Sequence, residues 1–128
     1  MITRINPPHA PKPASNYVQA IVHDAGAKRL VISGQVGVTF DGTVVDGLEE
    51  QLRQCWRNLF AVLEGCGFTR EQLVKTMIYV TVPDGVATSR KVRDEMLGGL
   101  QVTSTYLQVA GLASPAFLCE IEGEAVQG

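Results

Sequence analysis

Val102-Thr-Ser-Thr-Tyr-Leu-Gln-Val-Ala-Gly-Leu-Ala-Ser-Pro-Ala-Phe-Leu-Cys-Glu-Ile-Glu122 is the stretch around which the rest of the chain is organised. Two apolar-rich runs, Thr105–Val109 and Phe117–Ile121, flank a turn segment, Ala110–Ala116, that carries Gly111 and Pro115. Glycine and proline break regular structure most strongly, so the pattern predicts two consecutive strands. The first begins on three adjacent hydroxyls, Thr103, Ser104 and Thr105. The second ends with Glu120 and Glu122 on one face, because strand side chains repeat every second residue. The polar groups of any site are expected here.

Moving back toward the N-terminus, Val86–Leu97 reads as a helix with Val92, Met96 and Leu97 inward, stopped by Gly98-Gly99. Leu73–Val82 alternates: Val74, Thr76, Ile78, Val80 and Val82 share one face, and Lys75, Met77, Tyr79 and Thr81 the other. Thr69–Gln72 resembles a short helical turn. In Leu48–Glu64, Leu48, Leu52, Cys55, Leu59, Val62 and Leu63 recur at three- and four-residue spacing, which predicts an amphipathic helix. Trp56 and Phe60 widen its apolar stripe, Asp46 or Gly47 caps it, and Gly65 and Gly67 end it. Arg29–Val38 is a strand interrupted by Ser33-Gly34-Gln35, where a glycine marks a bulge or a close backbone approach. Asp41-Gly42 then signals a hairpin turn. Tyr17–His23 is β-branched and reads as a strand. Pro7, Pro8, Pro11 and Pro13 make residues 7–15 an extended surface loop, and Ile2–Asn6 is a short first strand. The order is β-β-β-α-β-α-β-β over one domain, residues 1–128: an α+β two-layer fold with two helices on one face of a mixed sheet.

Composition narrows function. The formal net charge is −2, and no Lys/Arg cluster offers a footprint for nucleic acid. No apolar run approaches the roughly 18 residues of a membrane span. Met1-Ile-Thr-Arg-Ile-Asn-Pro-Pro-His9 lacks the apolar core of a secretion signal, so a cytoplasmic location is expected. Cys55, Cys66 and Cys119 are scattered and odd in number, and in a reducing compartment they read as small hydrophobes. His9 and His23 have no ligand-like spacing, so neither a metal nor a cofactor is expected. Phosphate-loop, dinucleotide and Gly-x-Ser-x-Gly patterns are missing from the sequence.

Several segments share an order and spacing that identify the chain as similar to one family. They are Asn16-Tyr-Val-Gln-Ala20, Ser33-Gly-Gln35, Glu50-Gln-x-Arg-Gln54, Asn58-Leu-x-Ala-Val-Leu-Glu-x-x-Gly67, Val74-Lys-Thr-x-x-Tyr-Val-Thr81 and Glu120-Ile-Glu122. Together they resemble the RidA/YjgF family over nearly the whole chain. The resemblance implies a chorismate-mutase-like fold and a homotrimer with a barrel-like core and three inter-subunit clefts. It also implies hydrolysis of reactive enamines and imines to ketoacids and ammonia. On the family pattern, Tyr17 is a cleft tyrosine, Ser33-Gly34-Gln35 lines the cleft, and Glu120 positions or activates the attacking water.

The chain departs from that pattern in the stretch quoted first. Deaminating members carry Pro-Ala-Arg-Ser/Thr ahead of the penultimate strand, and the arginine grips the substrate carboxylate as a rigid bidentate donor. Aligned on Val109-Ala110-Gly111-Leu112, the arginine's place is Ser104; a one-residue shift would make it Thr103 or Thr105. Gln101–Gly128 contains no Arg or Lys, and the nearest cations, Arg90, Lys91 and Arg93, fall on the second helix.

Two functions follow. The first is a hydrolase for an imine, enamine or related electrophile, with weak or no activity on the usual 2-imino acids. Glu120 and Tyr17 are its catalytic candidates, and Ser33, Thr103, Ser104 and Thr105 its substrate-binding candidates. The second is a trimer that binds a small metabolite without chemistry. Action on RNA, sometimes attributed to relatives, is disfavoured by the acidic balance.

Overall fold

A computed structural model describes all 128 residues, Met1–Gly128. The elements run β1 (Ile2–Ile5), β2 (Ala20–His23), β3 (Lys28–Val36), α1 (Leu48–Gly65), a 3-10 turn at Arg70–Gln72, β4 (Leu73–Val80), α2 (Val86–Leu97), β5 (Thr103–Gln108) and β6 (Cys119–Gln127). This is the expected α+β order. β3, β6, β4 and β5 form one mixed sheet in that lateral order, with β4–β5 parallel and the other pairs antiparallel. β1 and β2 pair as a separate antiparallel ribbon.

Both helices pack on one face of the main sheet. The inward side of α1 buries Leu52, Cys55, Trp56, Leu59, Phe60 and Leu63, and these join Val92 of α2 and Ile78, Val80, Cys119 and Ile121 of the sheet in one core cluster. Removing a side chain such as Leu59 to alanine would cost about 2–5 kcal/mol. Val62, read as part of the stripe, is 36% exposed and lies at its edge. Gly47, not Asp46, is the N-cap of α1, and Glu49 and Glu50 occupy the first turn, where carboxylates complement the helix dipole. α2 stops on Gly98 in the left-handed region (φ 58°), where a Cβ would be unfavourable. The turn before β4 is closed by a Thr69–Gln72 capping box.

Three boundaries differ from expectation. β2 begins at Ala20, because Tyr17 and Val18 lie in the preceding loop, where Val18 N–H donates to Val102 C=O (3.2 Å). β6 is longer than the apolar run suggests. Its partners β3 and β4 keep it paired out to Gln127 and Ala125 respectively, where charged and apolar residues alternate. The 39–43 turn forms, but beyond it only Val38 and Val44 pair, so it stays a loop rather than a full hairpin.

Gln51 locks the loops to the helix layer. It is 2% exposed, its amide donates to Val45 C=O (2.9 Å) and Ala116 C=O (3.0 Å), and its carbonyl accepts from Leu118 N–H (2.9 Å). Gly37 lies against it: a Cβ there would meet Gln51 Cβ at 2.6 Å and Gln51 Cα at 2.8 Å.

Candidate functional site

Strand alternation assigns each candidate residue to a face. Thr76, Ile78 and Val80 of β4 are buried toward the helices. Ser104 and Tyr106 pair with Thr76 and Ile78, so they share that helix-covered side at the sheet edge. Glu120 pairs with Tyr79 and Glu122 with Met77, which puts both carboxylates on the opposite, uncovered face. Ser33, next to buried Ile32, falls on the uncovered face too, and is exposed. Thr103 pairs with Lys75, on the uncovered side, and its hydroxyl is committed to Val74 C=O (2.7 Å).

The uncovered face carries three carboxylates with three different fates. Glu124 pairs with Arg29 and Lys75. Glu122 accepts the Tyr79 hydroxyl at 2.5 Å, and that hydrogen bond is the first cause holding the Tyr79 phenol above its ordinary value, ahead of burial and the Glu120 charge. Glu120 is half-buried and has neither a hydrogen bond nor an ion pair within the chain. Its carboxylate lies directly over the backbone of Gly34, inside the register shift between Ile32 and Gln35. A Cβ at Gly34 would be 1.8 Å from Glu120 Oε2. The bulge and the glycine together make the seat for this carboxylate. Apolar side chains frame the face, with Val31 63% and Leu107 42% exposed.

At the helix-covered edge, α2, β5 and the loop before β2 enclose a cavity of about 330 Å³. Tyr17, Ser104 and Thr105 line it, together with Ser15, Ser89, Arg90 and Arg93. Tyr17 is held there because its hydroxyl accepts from Ala14 N–H (3.3 Å). Arg93 reaches back to the same loop, its Nη2 donating to Ser15 Oγ (3.1 Å). The structure thus brings Tyr17 and Ser104 together, while Thr105, paired with Met77, borders the same cavity from the strand edge with its side chain on the uncovered side. It leaves Glu120, Ser33 and Thr103 on the other side of the sheet.

Ser15, Ser89, Arg90 and Arg93 are the lining groups that sequence reading did not assign to a site. Val86, Ser89, Arg90 and Arg93 sit at i, i+3, i+4 and i+7, so the spacing of one helix face was the available signal. Nowhere do three or more His, Cys, Asp or Glu side chains converge so as to hold a metal ion. No helix is long and apolar enough to cross a membrane.

Comparison with known proteins places the chain. A family profile described as "Endoribonuclease L-PSP" matches residues 7–127. The chain belongs to the RidA/YjgF family. Among RidA/YjgF relatives, the 2-iminobutanoate/2-iminopropanoate deaminase of Rattus norvegicus is 32% identical over 93% of this chain and 85% of its own. A RutC family protein of Aquifex aeolicus is 41% identical over 78 residues, a match spanning 60% of each chain. The crystal structure of the Rid family protein YyfB from Yersinia pestis superposes with a TM-score of 0.87 at 28% identity, over 98% of both chains. The RidA/YjgF fold expected from sequence is therefore the fold observed.

Proposed function

We propose that the protein hydrolyses small imines or enamines to carbonyl compounds and ammonia, in clefts between the subunits of a cytoplasmic homotrimer. The observation that carries this reading is Glu120, the one carboxylate on the uncovered face without a partner, seated on a backbone that has no side chain. A half-buried carboxylate free of ion pairs is a group that can take a proton from water. In the proposed reaction, water adds to the C=N carbon as Glu120 accepts its proton. Glu120 passes that proton to nitrogen to give the carbinolamine. It then takes the carbinolamine hydroxyl proton and delivers it to the same nitrogen as the C–N bond breaks, so that the carbonyl forms and ammonia leaves; an enamine enters as its imine tautomer. The deaminase activity named for the rat relative supports the reaction class.

Tyr17 and Ser104 orient the substrate from the edge cavity. They reach the same substrate as Glu120 only when the uncovered face of one copy closes over the edge of another. The exposed Val31 and Leu107 favour such burial. Thr105 completes the lining on the strand side, Ser33 lies beside Glu120, and Thr103 holds β5 to β4. The strand arginine of deaminating members is replaced by Ser104, so slow turnover of 2-iminopropanoate is expected. We further propose that nucleic acid is not a substrate, which the net charge of −2 supports.

The test generates imines in situ with an amino-acid oxidase and follows ketoacid release above the spontaneous rate. Glu120→Ala should lower turnover by on the order of 100-fold or more. Undiminished turnover in that variant removes Glu120 from the mechanism, and a ligand recovered intact from the wild type favours metabolite binding without chemistry.

A further inference from the structure

The residue that replaces the missing strand cation is a serine, yet the cavity that serine lines is not neutral. Arg90 and Arg93 of α2 line the same cavity, and its lining contains no carboxylate. Arg93 is 4% exposed, and burying a guanidinium is costly unless its donors are met. Its Nε donates to Asp94 Oδ1 (3.1 Å) and its Nη2 to Ser15 Oγ (3.1 Å), which leaves Nη1 with no acceptor in the chain. Arg90 has no ion pair and no side-chain hydrogen bond, whereas its neighbour Lys91 is taken by Glu49 (3.0 Å) and Arg53 of α1 by Glu49, Glu50 and Glu95. The cations on the α1–α2 seam are neutralised, whereas of those facing the cavity Arg93 has Asp94 alone and Arg90 has no partner.

Hydroxyls complete the lining. Ser89 on α2 is 2% exposed and its hydroxyl makes no hydrogen bond within the chain, and Ser104 faces it from β5. Two guanidinium groups with unspent donors, surrounded by hydroxyls, match the oxygen atoms of a carboxylate. One of the two cations is already partly offset by Asp94, which suits a single negative charge better than two. A volume of about 330 Å³ is roughly ten times the share of one water in the liquid, more than a three-carbon acid needs.

We propose that Arg90 and Arg93 form a monocarboxylate site that grips the substrate from the helix wall, in place of a cation on β5. The substrate class is then the imines of small carboxylic acids longer than three carbons. This rests on the imine-hydrolase reading only for the identity of the substrate; the anion site itself stands on the cavity.

Equilibrium binding of 2-oxohexanoate, a stable ketoacid, is compared with that of uncharged 2-hexanone by calorimetry on the intact protein. The acid should bind at least about tenfold more tightly, as charge-assisted hydrogen bonds predict. Arg90→Gln should weaken the acid about tenfold and leave the ketone unchanged. Arg90 is exposed and makes no hydrogen bond or ion pair that this substitution removes, so the variant tests binding with little cost to the fold. Arg93→Gln should act in the same direction, with its thermal midpoint measured alongside. Equal binding of acid and ketone, or unchanged acid binding in both variants, overturns the site. Acid binding without imine turnover in the wild type retains the site and removes the hydrolase. Imine turnover with KM unmoved by either variant does the reverse.

Discussion

The two sides of the main sheet treat their polar groups in opposite ways. On the uncovered side the carboxylates are mostly spent: Glu124 on Arg29 and Lys75, Glu122 on Tyr79, with Glu120 alone unpartnered. At the helix-covered edge the charged lining is wholly cationic, and its donors are only partly used. Period-two alternation is the cause. Glu120 and Ser104 are fixed on opposite faces by their partners Tyr79 and Thr76, adjacent-parity residues of the same strand. A reaction needing both an anion grip and a base cannot be completed by one copy of such a sheet. Two copies, face against edge, can complete it.

The strongest way to break this comparison is to keep the copies apart. Val31→Asp puts a charge on the uncovered face at its most exposed apolar position. It should give a folded monomer in analytical ultracentrifugation with nearly all turnover lost; an active monomer would show that one chain holds the whole site. Next in size is Gly34→Ala. The new methyl collides with the far end of the flexible Glu120 side chain, so the carboxylate is displaced while the strands stay paired. Turnover should fall about tenfold or more, since misplaced catalytic groups are costly, with the thermal midpoint nearly unmoved. Gly37→Ala is its counterpart on the helix side. There the obstacle is Gln51 Cα, which cannot step aside, so stability should fall by about 1–3 kcal/mol in urea unfolding. The two glycines would thus separate a cost in function from a cost in folding.

The smallest effect concerns the paired cations of the helix seam. Glu95 is held below its ordinary 4.5 chiefly by the Arg53 hydrogen bond, and Glu49 below the same value first by Lys91 and then by Arg53. Their folded values are depressed, so their contribution is present above about 4.5 and is lost as pH falls through the lower folded values. Thermal midpoints should therefore decline on acidification below that point, and Arg53→Met should flatten the decline. Both carboxylates are solvent-accessible, so the change should be slight and should shrink with added salt.

Much of this arrangement was legible before any coordinates. Helix α1, the glycine stops and the Gly34 irregularity are local signals, carried by spacing and by residues with unusual backbone freedom. The shared face of Glu120 and Glu122 follows from alternation within one strand. What alternation alone leaves open is which face looks at the helices, because that depends on pairing between distant strands. The parallel register of Thr76 with Ser104 decides it, and no local pattern near either residue encodes that register. For the same reason Ser104 could be placed on a strand while its cavity partners Arg90 and Arg93, a loop away on α2, could not. The separate β1–β2 ribbon is another product of non-local pairing, joined across the proline-rich loop.

One contact beneath Glu120 has a practical consequence. Cys119 precedes it on β6, and its Sγ lies 3.7 Å from that of Cys55 on α1, with both residues fully buried. The Cys119 contact, and burial after it, push the Cys55 thiol upward, so it stays protonated and unreactive at neutral pH. Cys66 alone is exposed. A thiol reagent should therefore register one fast equivalent on the native protein and two slow ones, and the slow rate times how often helix α1 lifts from the strand that carries Glu120.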